Sequence, residues 1–173
     1  MRIASQLTFC SPSEILRRTV VEQDEQQRIT RLFCLDENAV ESAQTLFFDG
    51  IISTEIISVK EKVSDLYSLV SAYNYIDLSC GIPTEIVASE KPLFLDFGTH
   101  SPEKINQILA ALAPALTDYS MFEIIAACCY FPALAIGETS SLSVNRKTKL
   151  LLWEGSDLVN KRITKQTRIR EIS

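Results

Sequence analysis

The hydrophobic period changes twice along this chain, and that change restricts the folds open to it. Near the N-terminus apolar residues recur at strand spacing: "RIASQLTF" places Ile3, Leu7 and Phe9 on one side of an extended segment. "LRRTVVEQ" and "RITRLFCL" read as two further strands joined by the polar turn "DEQQ". "QTLFFDGIIS" reads as a fourth, with a turn or bulge at Asp49-Gly50. After residue 58 the spacing turns helical. "SVKEKVSDLYSLVSAYNYI" sets Val59, Val63, Leu66, Val70 and Tyr73 on one helix face. "KPLFLDFG" is a short buried-strand pattern. "SPEKINQILAALAPAL" then opens with Ser101 as N-cap and Pro102 in the first turn, with Ile105, Ile108, Leu109 and Leu112 as its apolar face and Pro114 as its stop. "TDYSMFEIIAACCYFPALAIG" predicts another helix, begun by Ser120 and ended at Gly137. The last part returns to strand patterns. "SLSVNRKTKLLLWEG" predicts two strands about a left-handed Asn145, and "DLVNKRITKQTRIREI" a terminal hairpin.

Strands at both ends of a helical middle predict an α+β fold. The expected division is a composite β domain from residues 1–58 and 138–173, with a helical α/β insert at 59–137. At 46% hydrophobic and 23% charged residues the chain has globular usage, with enough length to bury a core without disulfides. The odd number of cysteines (Cys10, Cys34, Cys80, Cys128, Cys129) lacks CxxC spacing, which argues against a disulfide framework and for a reducing, cytoplasmic setting. "MRIASQLTFC" has no apolar core of a signal peptide. "IIAACCYFPALAI" is too short to span a bilayer, so no membrane association is expected.

The net charge of −5 is unevenly spread. Residues 145–173 carry +5 and the remainder −10, a basic tail on an acidic body. The tail lacks interleaved aromatics, which disfavours nucleic-acid binding, although the basic C-terminal hairpin is the segment that would carry it. P-loop, GxGxxG, HExxH and nucleophile-elbow patterns are all missing.

Several stretches resemble the amidohydrolase superfamily of metal-dependent hydrolases, which includes dihydroorotase, cytosine deaminase and chlorohydrolase relatives. The opening strands and "FFDGIIS" are similar to that family's first strands. "YFPALAIGETSSLSVNRKTKLLLWEG" keeps Pro132, Ala133, Gly137, Ser141, Leu142, Val144, Leu150, Leu152 and Trp153 of its C-terminal motif, with Asn145 at the turn glycine and Lys149 at an aspartate. The resemblance covers the β segments, about half the chain. It implies a small β domain built from both termini around a (β/α)8 barrel. Such a barrel needs about 250 residues, so residues 59–137 can hold only a truncated remnant. In the family a His-x-His pair follows the "GII" strand. Here those places fall on Lys60 and Lys62, whose protonated amines are not metal ligands. "FGTHS" resembles a Gly-Thr-Asp-Ser segment, with the chain's single histidine, His100, at the metal-binding aspartate.

The resemblance implies a degenerate, non-catalytic relative without metal or other cofactor, acting as an interaction or small-molecule-binding module. Lys60, Lys62 and His100 are its candidates for holding a small anion. Ile124, Ile125 and Phe131 are expected to leave an apolar helix face open, which points to a homo-oligomer or another protein partner. Two alternatives stand beside this. One is a small metal-independent enzyme using His100 with Cys80, its ring oriented by Asp96 or Asp77. The other is a nucleic-acid module using the basic hairpin.

Overall fold

The computed structural model describes residues 1–35, 44–60, 62–63 and 65–172. The N-terminal strands are β1 (Arg2–Ser11), β2 (Glu14–Gln23), β3 (Ile29–Cys34) and β4 (Thr45–Thr54). The middle holds α1 (Leu66–Ala72), β5 (Asn74–Asp77), β6 (Leu93–Asp96), α2 (Pro102–Leu112), α3 (Met121–Ile125) and α4 (Phe131–Ala135). Strands β7 (Leu150–Glu154) and β8 (Arg168–Ile172) close the chain.

Strands from both ends form one six-stranded sheet in the order β3-β2-β1-β4-β7-β8, and β5 and β6 form a separate parallel pair. The α+β class expected from the period changes is therefore found, and the first and last segments of the chain share a layer. The Asp49-Gly50 interruption is a bulge: Ser5 pairs with Phe48 but Leu7 with Ile51, so β4 spends one extra residue. Because strand side chains alternate, Ile51, Trp153 and Ile169 pack with the helices, while Ile52, Leu152 and Ile172 join a second cluster with Ile3, Val21 and Ile29. That second cluster is closed by curling of the sheet. Edge strand β3 is tied back to the run-in to β7 by Ile29 N to Arg146 O at 2.8 Å and Asn145 N to Ile29 O at 2.7 Å. Buried Gln23 reinforces the closure by donating to Thr148 O at 2.8 Å.

Helix α2 starts where the sequence places it, with Ser101 accepting from Lys104 N and Pro102 in the first turn. Ser120 and Glu123 form a reciprocal capping box that starts α3. From α3 to α4 the backbone stays helical through a π-type turn at Ala126–Tyr130. Pro132 has no N–H to offer the carbonyl of Cys128, and Ile57 N takes that place at 3.3 Å, tying the helix to the segment after β4. Gly137, at φ +73°, ends the helix, and Glu138 N returns to Ala133 O at 2.9 Å.

Four expectations need correction. The helix predicted from Val59 to Tyr73 is only α1, seven residues long (Glu61 and Ser64 lie outside the described residues). Asp65 caps it by accepting from Tyr67 N and Ser68 N, and Asn74 N then turns to Pro92 O and enters the parallel pair with β6. Its core contact is Leu69, whereas Leu66 and Val70 are exposed. Residues 141–149 are not a strand; they supply Leu142 N to Cys10 O and the left-handed Asn145, at φ +72°. The terminal hairpin is instead β7 with β8, and Asp157 with Arg162 makes only one isolated bridge. Last, Ile124 and Ile125 are fully buried and Phe131 partly so, packed against β6 and the sheet by the same chain. The helix face expected to need a partner is already covered. Among the described residues no helix is long and apolar enough to cross a membrane.

Candidate functional site

In sheets of parallel strands, ligands gather beyond the carboxyl ends, where loops diverge and strand carbonyls end. Strands β5 and β6 end together on a register pair of carboxylates, Asp77 and Asp96. The two carboxylates meet different fates.

Asp96 is fully buried and accepts from Tyr75 Oη at 3.1 Å, Ser58 Oγ at 3.2 Å and the Gly98 amide at 3.0 Å. Burial pushes the Tyr75 phenol well up, and the Asp96 charge beside it adds to the rise. Tyr75 therefore remains a donor. Gly98 follows at φ +58°, where a Cβ would lie 2.7 Å from that of Ser79, so glycine lets the two strand-end loops touch.

Asp77 faces outward and takes an ammonium. Lys60 Nζ donates to Asp77 Oδ2 at 2.9 Å, to Ser79 Oγ at 2.9 Å and towards Cys80 Sγ at 3.7 Å. The bond to Asp77 holds the Lys60 pKa above its ordinary value, so the amine stays protonated. Burial tends to raise the Asp77 carboxyl, but Ser79 and Lys60 outweigh it and hold the group below the usual carboxylate range. Chemically this is a fixed positive charge set among three atoms of the kind that bind cations. A protonated lysine offers no lone pair, so it can act neither as a nucleophile nor as a ligand. Lys62, two residues on, turns away from this cluster and stands 3.9 Å from Glu138, with both side chains exposed.

His100 is not paired with Cys80. Its Nε2 lies 3.2 Å from Leu78 O, and since a carbonyl only accepts, Nε2 carries the proton. The ring lines a cavity of about 230 Å³ with Glu55, Lys149, Arg170 and Glu171, and Cys80 is not in that wall. Cys80 is exposed, beside Ser79 at 3.5 Å and Lys60. Asp96 spends its acceptors on Tyr75, Ser58 and Gly98 rather than on the imidazole. The imidazole thus stands apart from both the thiol and the carboxylates: Asp96 is engaged elsewhere, and Asp77 shares the Lys60 cluster with Cys80. In the basic hairpin, Arg162, Arg168 and Arg170 are exposed; Arg170 is paired with Glu154 at 3.1 Å and lies over the Phe48 ring. Lys149 is likewise paired with Glu171 at 3.0 Å.

Among the described residues no group of three or more His, Cys, Asp or Glu side chains is arranged to hold a metal ion. The partners of Lys60 were accessible to sequence reasoning only in part. "DLSC" directly after a strand is a usable signal, but which lysine answers Asp77 depends on how the segment after β4 crosses the parallel pair. Comparison with protein-family models, with curated proteins and with solved structures finds no match for the chain.

Proposed function

We propose that this chain is a non-catalytic, degenerate relative of the amidohydrolases, serving as a small-molecule-binding or interaction module. The sheet built from both termini is compatible with that family's β domain, and β5–β6 with a remnant of its barrel. One observation carries the reading: Lys60 sits where the resemblance expects a metal-ligating histidine, and its ammonium is bonded to Asp77, Ser79 and Cys80. A built-in cation at the ends of parallel strands neutralises the carboxylate that a metal would otherwise need to neutralise. It also leaves that position without the Lewis acidity that activates water. What remains is a folded scaffold with surface clefts and no hydrolytic centre.

The test is metal content after purification and chelation, followed by titration with zinc, iron and manganese while melting is monitored. No stoichiometric metal and an unchanged melting temperature are expected. One tightly held metal per chain, with a rise in melting temperature on titration, would overturn the proposal.

A further inference from the structure

A wide cleft lies away from Lys60, on the side of the sheet where β1, β2, α3 and the loop before β8 meet. Its volume is about 720 Å³, within the range of sites that enclose organic ligands. Its floor is apolar and mostly aliphatic: Leu7, Ile15, Phe122 and Leu158 are half-buried there, and Val159 stands at the rim, 89% exposed. Arg17 and Lys161 supply the charge, with Arg18 also in the wall, and no carboxylate among the described residues lines the cavity. On a chain of net charge −5, this is a locally positive cleft over a hydrocarbon floor.

The cleft is also held in shape. Arg17 is the register partner of Leu7 across β1 and β2, so its stem lies beside the floor while its guanidinium reaches the rim. Lys161 belongs to a tight loop closed by Asp157 N to Arg162 O at 2.9 Å and Arg162 N to Asp157 O at 3.0 Å. The Asp157 carboxylate stiffens that loop by accepting from Val159 N at 3.1 Å and Asn160 N at 2.9 Å. Met121 N, at the start of α3, donates to Lys161 O at 2.7 Å and fixes the loop to the helix that carries Phe122. Arg18 and Lys161 both hold left-handed backbone, at φ +48° and +55°, a conformation that costs free energy in non-glycine residues and concentrates at functional sites. Among the described residues, the side chains of Arg17 and Lys161 form no ion pair with the protein, so their charges are available to a ligand.

From this geometry we propose that the cleft binds a small organic anion with an aliphatic body, a medium-chain carboxylate being its simplest form. Arg17 and Lys161 take the head group, and Leu7, Ile15 and Leu158 cover the chain. This deepens the binding-module reading and rests on it. The cleft shares no residue with the Lys60 cluster, so failure here and failure of the metal titration are separate results.

The experiment is calorimetric titration of the full chain with decanoate below its micellar range. Acetate and decyltrimethylammonium serve as probes of the head alone and of the tail with reversed charge. Saturable one-to-one binding of decanoate is expected, with affinity rising about two- to fourfold per methylene from hexanoate upward. Acetate should not bind measurably, and the cationic analogue should be at least about tenfold weaker than decanoate. The double variant R17Q/K161Q, with an unchanged melting temperature, should lose about tenfold in decanoate affinity. L158N should weaken decanoate binding if the chain lies on the floor. Equal binding of the anionic and cationic amphiphiles, or decanoate affinity untouched by R17Q/K161Q, would overturn the proposal. So would binding of an acidic, leucine-rich peptide in the absence of any binding of decanoate.

Discussion

Replacing Gly50 by alanine should destabilise the protein by about 3 kcal/mol, the upper end of the usual cost of forcing one carbon into a packed site. Gly50 lies in the β4 bulge, next to Ile51, which pairs with Trp153 of β7. A Cβ there would fall 2.4 Å from the Trp153 carbonyl oxygen, 3.2 Å from its carbon and 3.1 Å from Leu152 Cδ1. The obstacle is backbone rather than the end of a flexible side chain. That backbone is held on its other side by β8, where Trp153 pairs with Ile169. Relief therefore requires β4 and β7 to separate at the centre of the sheet. For a chain of this size about 3 kcal/mol lowers the melting temperature by roughly 6–12 °C, read by circular dichroism and by the urea midpoint at unchanged slope. Gly81→Ala is the matched control, since a Cβ at Gly81 would meet nothing within 4 Å, and it should stay within about 0.5 kcal/mol of the parent. A Gly50→Ala shift below about 2 °C would refute the close approach of β4 and β7, and with it the sheet shared by the two ends of the chain.

Two further outcomes follow from the site and the core. In Lys60→Met, Asp77 loses a bond that holds its carboxyl low. A depressed carboxyl contributes stability that is present above its unfolded pKa and is lost as pH falls through the folded value. The acid side of the melting curve should therefore move to higher pH. The cost at neutral pH should be small, because the pair is partly exposed and solvent screens it; superimposable acid limbs would refute the pairing. An aromatic disulfide reagent should label exposed Cys80 first and half-buried Cys34 more slowly. Cys10, Cys128 and Cys129 should react only on unfolding: burial pushes the thiols of Cys10 and Cys129 up to about 12 and that of Cys128 well above its ordinary value. Prompt labelling of Cys128 or Cys129 in the folded protein would contradict the packing of the helix on the sheet.

The elements that were legible in the sequence are those whose cause is local. Apolar runs bounded by polar turns place β1, β2 and β3, although β1 is buried on both faces, with Ile3 in one cluster and Leu7 and Phe9 in the other rather than on one side. Ser101 and Ser120 mark helix starts, because their hydroxyls accept amides within the same turn. Asn145 is left-handed, as its turn demands. Apolar spacing misled where a distant partner competed: Asn74–Asp77 could extend a helix, but Leu93–Asp96 offers it a parallel ladder instead. The same holds for residues 141–149, whose amides go to Cys10 and Ile29 rather than to a sister strand.

The candidate site shows the same division more sharply. The residue types at Lys60, Asp77, Cys80, Asp96 and His100 were readable as chemistry, but their grouping was not. A side chain's partners are set by where the backbone crosses, and sequence separation says little about that. Lys60 reaches Asp77 across 17 positions, while His100, close in sequence to Asp96, turns to Leu78 O. By itself the sequence determined the α+β class, strands β1 to β4 and the starts of α2 and α3, since each follows from hydrogen bonds and burial within a few residues. Only the tertiary structure decided which strands are neighbours, which carboxylate receives the ammonium and where three basic side chains overhang an apolar floor, because those depend on contacts between segments far apart in the chain.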